Sequence, residues 1–126
     1  MIVTGRKALR VLVASTLIPI AMLGSSQDHF FESAGVSIRF EDTGRGTPVV
    51  IIHGWSGTAK MWAEAGVEQS RLGKFRLITI GCRGHGRGDK PHDTASYGTE
   101  MVTDLVRLLD ELDVRRAHIV GYSMSS

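Results

Sequence analysis

The chain has 126 residues, enough for one small domain or part of a larger one. Its apolar fraction of 42% and charged fraction of 22% are those of an ordinary globular protein, and a net charge of +2 gives no electrostatic case for nucleic acid. A single cysteine, Cys82, excludes an intrachain disulfide and every CxxC metal or redox motif.

The first stretch differs in kind from the rest. Arg6, Lys7 and Arg10 precede an uncharged apolar run from Val11 to Leu23, followed by the small residues Gly24, Ser25 and Ser26. A run of about 13 residues is short of the roughly 20 needed to span a bilayer. The pattern reads as a secretory signal peptide over residues 1–26, which implies a secreted or periplasmic product and no stable membrane span. The alternatives are an uncleaved anchor, or a mis-called start ahead of a cytoplasmic protein.

Beyond the leader, His29–Glu32 and Val36–Glu41 flank Ala34-Gly35. Val36, Ile38 and Phe40 alternate with polar residues, which predicts a hairpin of half-buried strands. Residues 43–48 are turn chemistry throughout. Val49 to His53 is continuously apolar and β-branched up to its histidine, as in a strand buried on both faces. Thr58 to about Gly73 reads as mixed and helical, and Phe75–Ile80 as a strand. Gly81 to Pro91, with its four glycines, must be a loop. Thr99–Leu112 is the clearest helix, with Met101, Val102, Leu105, Val106, Leu109 and Leu112 placed on one face. His118–Tyr122 is a last short strand. Strand, helix, strand, helix, strand implies βαβ crossovers and a parallel sheet.

That last strand runs into Gly121-Tyr122-Ser123-Met124-Ser125, nearly the G-x-S-x-G of a nucleophile elbow. The motif needs small residues two before and two after the serine, so that a sharp strand-to-helix turn does not collide with itself. Gly121 meets the first need; Ser125 replaces the second glycine, and glycine there would relieve crowding. Against this stands the plain reading of a Gly-Ser turn. His53-Gly54-Trp55 ends the Val49 strand. An acyl-transfer site needs backbone N–H groups aimed at a developing oxyanion. Met124, which follows the serine, and Trp55 are the candidates, with Gly54 allowing close approach. Trp55 could equally be packing, Trp62 reads as packing, and His53 as structural.

Taken together, His53-Gly-Trp, residues 83–91 (RGHGRGDKP) and Gly121-Tyr-Ser-Met, with Tyr97, Glu100, Met101 and Asp104 between, resemble the α/β-hydrolase fold superfamily. The similarity is to its branch of esterases, lipases and cofactor-free haloperoxidase-like enzymes, and covers residues 29–126. It implies an α/β fold of three layers around a mostly parallel sheet, reached here only as far as the nucleophile elbow. It implies a serine hydrolase acting on a small-molecule ester-like carbonyl through an acyl-enzyme at Ser123, with no cofactor and no metal. Three positions depart from the family pattern: Gly81 stands for Asp, Gly88 for Ser and Ser125 for Gly. In this family the acid and base follow the nucleophile in chain order, and none of the five histidines can be assigned the base by position. The chain by itself is therefore expected to be inactive, and the competing reading is a non-catalytic fragment of the same fold that binds a partner or fails to fold.

Other patterns carry less. Gly84-His-Gly-Arg-Gly-Asp-Lys lacks the spacing of a phosphate loop. Arg83, Arg87 and Lys90 beside His85 and His92 suit a solvated loop better than an anion site. Cys82 reads as a buried, inert thiol, and His85 and His92 lack zinc spacing.

Overall fold

A computed structural model describes residues 27–67 and 73–125. The leader therefore lies outside the described residues, as does the end of the stretch read as helical up to Gly73. Five strands form one sheet: β1 (His29–Ser33), β2 (Val36–Gly44), β3 (Thr47–Ile52), β4 (Phe75–Ile80) and β5 (His118–Gly121), in the spatial order β1-β2-β4-β3-β5. β1 and β2 are an antiparallel hairpin, and β2 pairs antiparallel with β4. β3, β4 and β5 run parallel, with β3 in the middle.

The hairpin turns at Ala34-Gly35, both at positive φ (51° and 77°), which matches the twist of the flanking strands. β2 and β3 extend further than their turn-rich junction suggested. Thr43-Gly44 and Thr47-Pro48 are drawn into the ladders, and only Arg45-Gly46 is left to turn. Pairing with β4 at Gly44 and Thr47 outweighs the local turn preference.

β4 and the second half of β3 are buried, as their apolar runs require, whereas β5 is exposed at Ile119 and Val120. On one face Val50, Ile78 and Ile80 meet Ile38, Phe40 and Phe31 from the hairpin and Leu108 from helix α2 (Thr99–Glu111). On the other face, Ile51 and Leu77 lie beneath Trp62 of the short helix α1 (Lys60–Glu64). A helix on each side of the sheet makes the three layers.

α2 does not bury the whole stripe assigned to it. Leu105, Leu109 and Leu112 pack against the core, but Val102 and Val106 are exposed, and the face turned fully inward is that of Asp104 and Leu108. Asp104 is tolerated there because Arg83, equally buried, grips it with two bonds: Nε to Oδ2 at 2.7 Å and Nη2 to Oδ1 at 2.6 Å. Ser33 Oγ also donates to Asp104, Arg107 donates to Ser33 Oγ at 2.9 Å, and Arg83 Nη1 donates to the Ser96 carbonyl at 2.7 Å. The network joins the hairpin, the loop after β4 and α2. It also holds the Arg83 guanidinium above its usual range, chiefly through the bond to Asp104 and against the cost of burial.

Removing one partner strands the other charge in the interior. Asp104→Ala should lower unfolding free energy by about 3–5 kcal/mol, read as a shift in the urea midpoint of the full-length protein. A loss below about 1 kcal/mol, the size of an exposed pair, would contradict the burial described here.

Candidate active site

The parallel strands end level. Ile52 of β3 is in register with Ile80 of β4 and Gly121 of β5, so the three segments that follow emerge at one edge of the sheet. This edge, outside the carboxyl ends of parallel strands, is where open α/β sheets bind ligands. The segments are His53-Gly54-Trp55, Gly81-Cys82-Arg83 and Tyr122-Ser123-Met124.

Ser123 has φ +57°, a left-handed conformation that is uncommon for a residue with a β-carbon. The chain leaves β5 with the Tyr122 N–H donating to the Ile52 carbonyl at 3.2 Å, then closes a tight 3₁₀ turn over Ser123–Ser125. Strain of this kind costs on the order of 1–3 kcal/mol and survives only where its surroundings enforce it. Gly54 is part of that enforcement. A β-carbon on it would stand 3.0 Å from the Ser123 β-carbon and 3.0 Å from the Tyr122 carbonyl oxygen, so any other residue would push the elbow back by a few tenths of an ångström.

His53 is fully buried and both ring nitrogens are engaged. The Cys82 N–H donates to Nε2 at 3.0 Å, which makes Nε2 the acceptor, so Nδ1 carries the proton and donates to the Gly54 carbonyl at 2.9 Å. That carbonyl also accepts from Gly57 N–H at 3.1 Å. The imidazole is therefore a neutral brace between the loops after β3 and β4. Burial pushes its pKa below the usual value, and the neighbouring His85 ring, 5.2 Å away, pushes the same way against the Gly54 bond. His85 stands edge-on between His53 and Trp55, whose ring lies 5.9 Å away. An apolar cleft of about 940 Å³ opens beside these segments, lined by Trp55, His85, Tyr97, Met101, Leu105 and Met124 among others.

The structure thus gathers Ser123, Met124, Gly54, Trp55, Gly121 and Ser125 at one edge. Trp55 is 75% exposed, so its indole is not core packing, whereas Trp62 is half-buried, edge-on to Tyr122. Cys82 is buried, and burial pushes its thiol up, away from a reactive thiolate. Among the described residues no cluster of His, Cys, Asp and Glu has the makings of a metal site, and no helix is long and apolar enough to cross a membrane. What the sequence left unseen is the bracing. His53 gave no local sign of its two ring partners, and the one clue to the Arg83 pair was an aspartate at position 104 amid apolar helix positions.

Comparison with known proteins gives the family. Residues 47–126 match the family described as alpha/beta hydrolase fold. The chain belongs to that family. It is 37% identical over 90 residues to a non-heme chloroperoxidase of Kitasatospora aureofaciens, covering 71% of this chain and 32% of the relative. An epoxide hydrolase of Vigna radiata superposes with a TM-score of 0.71 at 25% identity, over 81% of this chain and 34% of that one. A thioesterase domain from the curacin biosynthetic pathway gives 0.70 at 25% identity, over 81% and 38%. The chain spans about a third of the length of the curated relatives it matches. This α/β-hydrolase segment is similar to enzymes, and they handle small molecules of differing chemistry.

The neutral His53 brace has a signature in pH. Its folded pKa lies below the unfolded value of 6.5, so its stabilising contribution is complete above pH 6.5 and is lost as pH falls from there towards the folded pKa. Urea titrations of the full-length protein between pH 5 and 8 should show this fall. In His53→Gln the fall should be shallower, on a protein less stable by about 1–3 kcal/mol at pH 8 from unmet polar groups. Identical pH slopes in the two proteins would contradict the assignment.

Proposed function

We propose that Ser123 is the nucleophile of a serine hydrolase that attacks an ester-like carbonyl. The observation that carries this reading is the left-handed Ser123 between a parallel strand and a tight turn, with Gly54 packed against it. A serine placed so presents its hydroxyl rather than burying it in a helix or a strand. In the first step Oγ adds to the carbonyl carbon while its proton passes to a base. The tetrahedral oxyanion is met by the Trp55 and Met124 N–H groups, the alcohol leaves with the proton, and water then releases the acyl group by the same route.

His53 is not that base, because both its nitrogens are committed within the fold. The base and the acid that orients it belong, on this reading, to the part of the whole protein that follows Ser123. The likeness to a thioesterase domain supports acyl chemistry; the likenesses to a chloroperoxidase and an epoxide hydrolase leave the acyl group and alcohol open. The substrate class proposed is a small ester or thioester, and no cofactor enters the mechanism.

The test is active-site labelling of the full-length protein. A fluorophosphonate should modify Ser123, shown by peptide mass, and Ser123→Ala should abolish labelling and reduce p-nitrophenyl ester turnover by at least about 10³-fold. Turnover by Ser123→Ala at the wild-type rate would remove Ser123 from the mechanism.

A further inference from the structure

Ser125 stands where the family resemblance calls for glycine, and the sequence alone casts it as bulk to be tolerated. The structure gives its hydroxyl a distant partner. Oγ donates to the His53 carbonyl at 2.7 Å, across 72 residues of sequence. His53 is the residue whose ring grips the Gly54 carbonyl and the Cys82 N–H. Ser125 therefore closes a circuit through the segments after β5, β3 and β4.

We infer that Ser125 is a positioning residue: its hydroxyl clamps the far side of the elbow to the strand end that carries Gly54 and Trp55, and so sets the nucleophile against the oxyanion donors. The inference rests on Ser123 being the nucleophile. The need for a clamp is visible in the turn. Before Ser123, the chain is tied to β3 by the Tyr122 N–H bond to Ile52. After Ser123, the turn's own bond, Ser125 N–H to the Tyr122 carbonyl, is long at 3.3 Å. The shorter Ser125 Oγ bond is what ties the turn back to β3 there. A glycine has no group to make it. Relaxation of the elbow by even a fraction of an ångström moves Oγ and the Met124 N–H together, which lowers the rate of attack more than it lowers ground-state affinity.

The experiment compares wild type, Ser125→Ala, Ser125→Gly and Ser125→Thr in the full-length protein, with Ser123→Ala as reference. Initial rates on a p-nitrophenyl ester are taken well below each variant's unfolding midpoint, beside fluorophosphonate labelling. The expected result is a drop in kcat of about five- to tenfold in Ser125→Ala and Ser125→Gly, the size of one neutral hydrogen bond, with KM within about twofold. Labelling of Ser123 should slow in parallel, and Ser125→Thr, which keeps the hydroxyl, should recover most of both. Wild-type kcat in Ser125→Ala and Ser125→Gly would overturn the inference, as would a rise in KM with kcat unchanged. If Ser125→Ala does not fold, the Gly and Thr variants decide by the same kcat and KM criteria. Should Ser123→Ala itself turn over ester at the wild-type rate, the nucleophile assignment fails and takes this inference with it. A failure of Ser125 alone leaves Ser123→Ala inactive and its variants unimpaired.

Discussion

A buried, uncharged imidazole holds the candidate functional edge of this protein together. His53 sits where β3 ends, and every segment of the candidate site is bonded to it: Gly54 and Cys82 through the ring, Ser125 through the carbonyl. The arrangement works only for one protonation state and one tautomer. A second proton on Nε2 would face the Cys82 N–H, donor against donor, in a place water does not reach. Burial and the adjacent His85 ring both keep that proton off.

The brace matters because of what it restrains. A non-glycine residue at positive φ is stable only if its neighbours leave no easier path, and Ser123 has such neighbours on both sides: Gly54 against its β-carbon, the β3 ladder before it, the Ser125 hydroxyl after it. Behind the edge, the Arg83–Asp104 pair fixes the loop that delivers the Cys82 N–H, and through Ser33 ties that loop to the hairpin. Local strain at Ser123 is thus supported by long-range polar contacts rather than by the turn itself.

The sequence was legible where structure is local. The β-branched runs at 49–52 and 75–80 became parallel strands, the Ala34-Gly35 hairpin formed, and the serine motif fell at a strand's end. Legibility failed where a distant partner decides. Val102 and Val106 share the apolar stripe by their spacing, yet among the described residues both are exposed, Val102 along the cleft, because the α2 face that turns inward includes Asp104, paired with an arginine 21 positions away. The bond from Ser125 to His53 spans 72 positions and leaves no trace in any window of sequence. Turn residues at 43–48 misled for a related reason: the neighbouring β4 ladder recruited all but two of them.

On the proposed function, the clasp between the elbow and the β3 end lets one carbonyl, attacked at Ser123, meet the Trp55 and Met124 amides. The most direct measurement is a crystal structure of the full-length protein carrying a phosphonate bonded to Ser123 Oγ, which mimics the tetrahedral intermediate. The phosphonyl oxygen should lie about 2.7–3.1 Å from both nitrogens, with the Ser125 bond to His53 intact. An adduct whose oxygen points away from Trp55 and Met124 into solvent, or one carried by another residue, would contradict the proposed function.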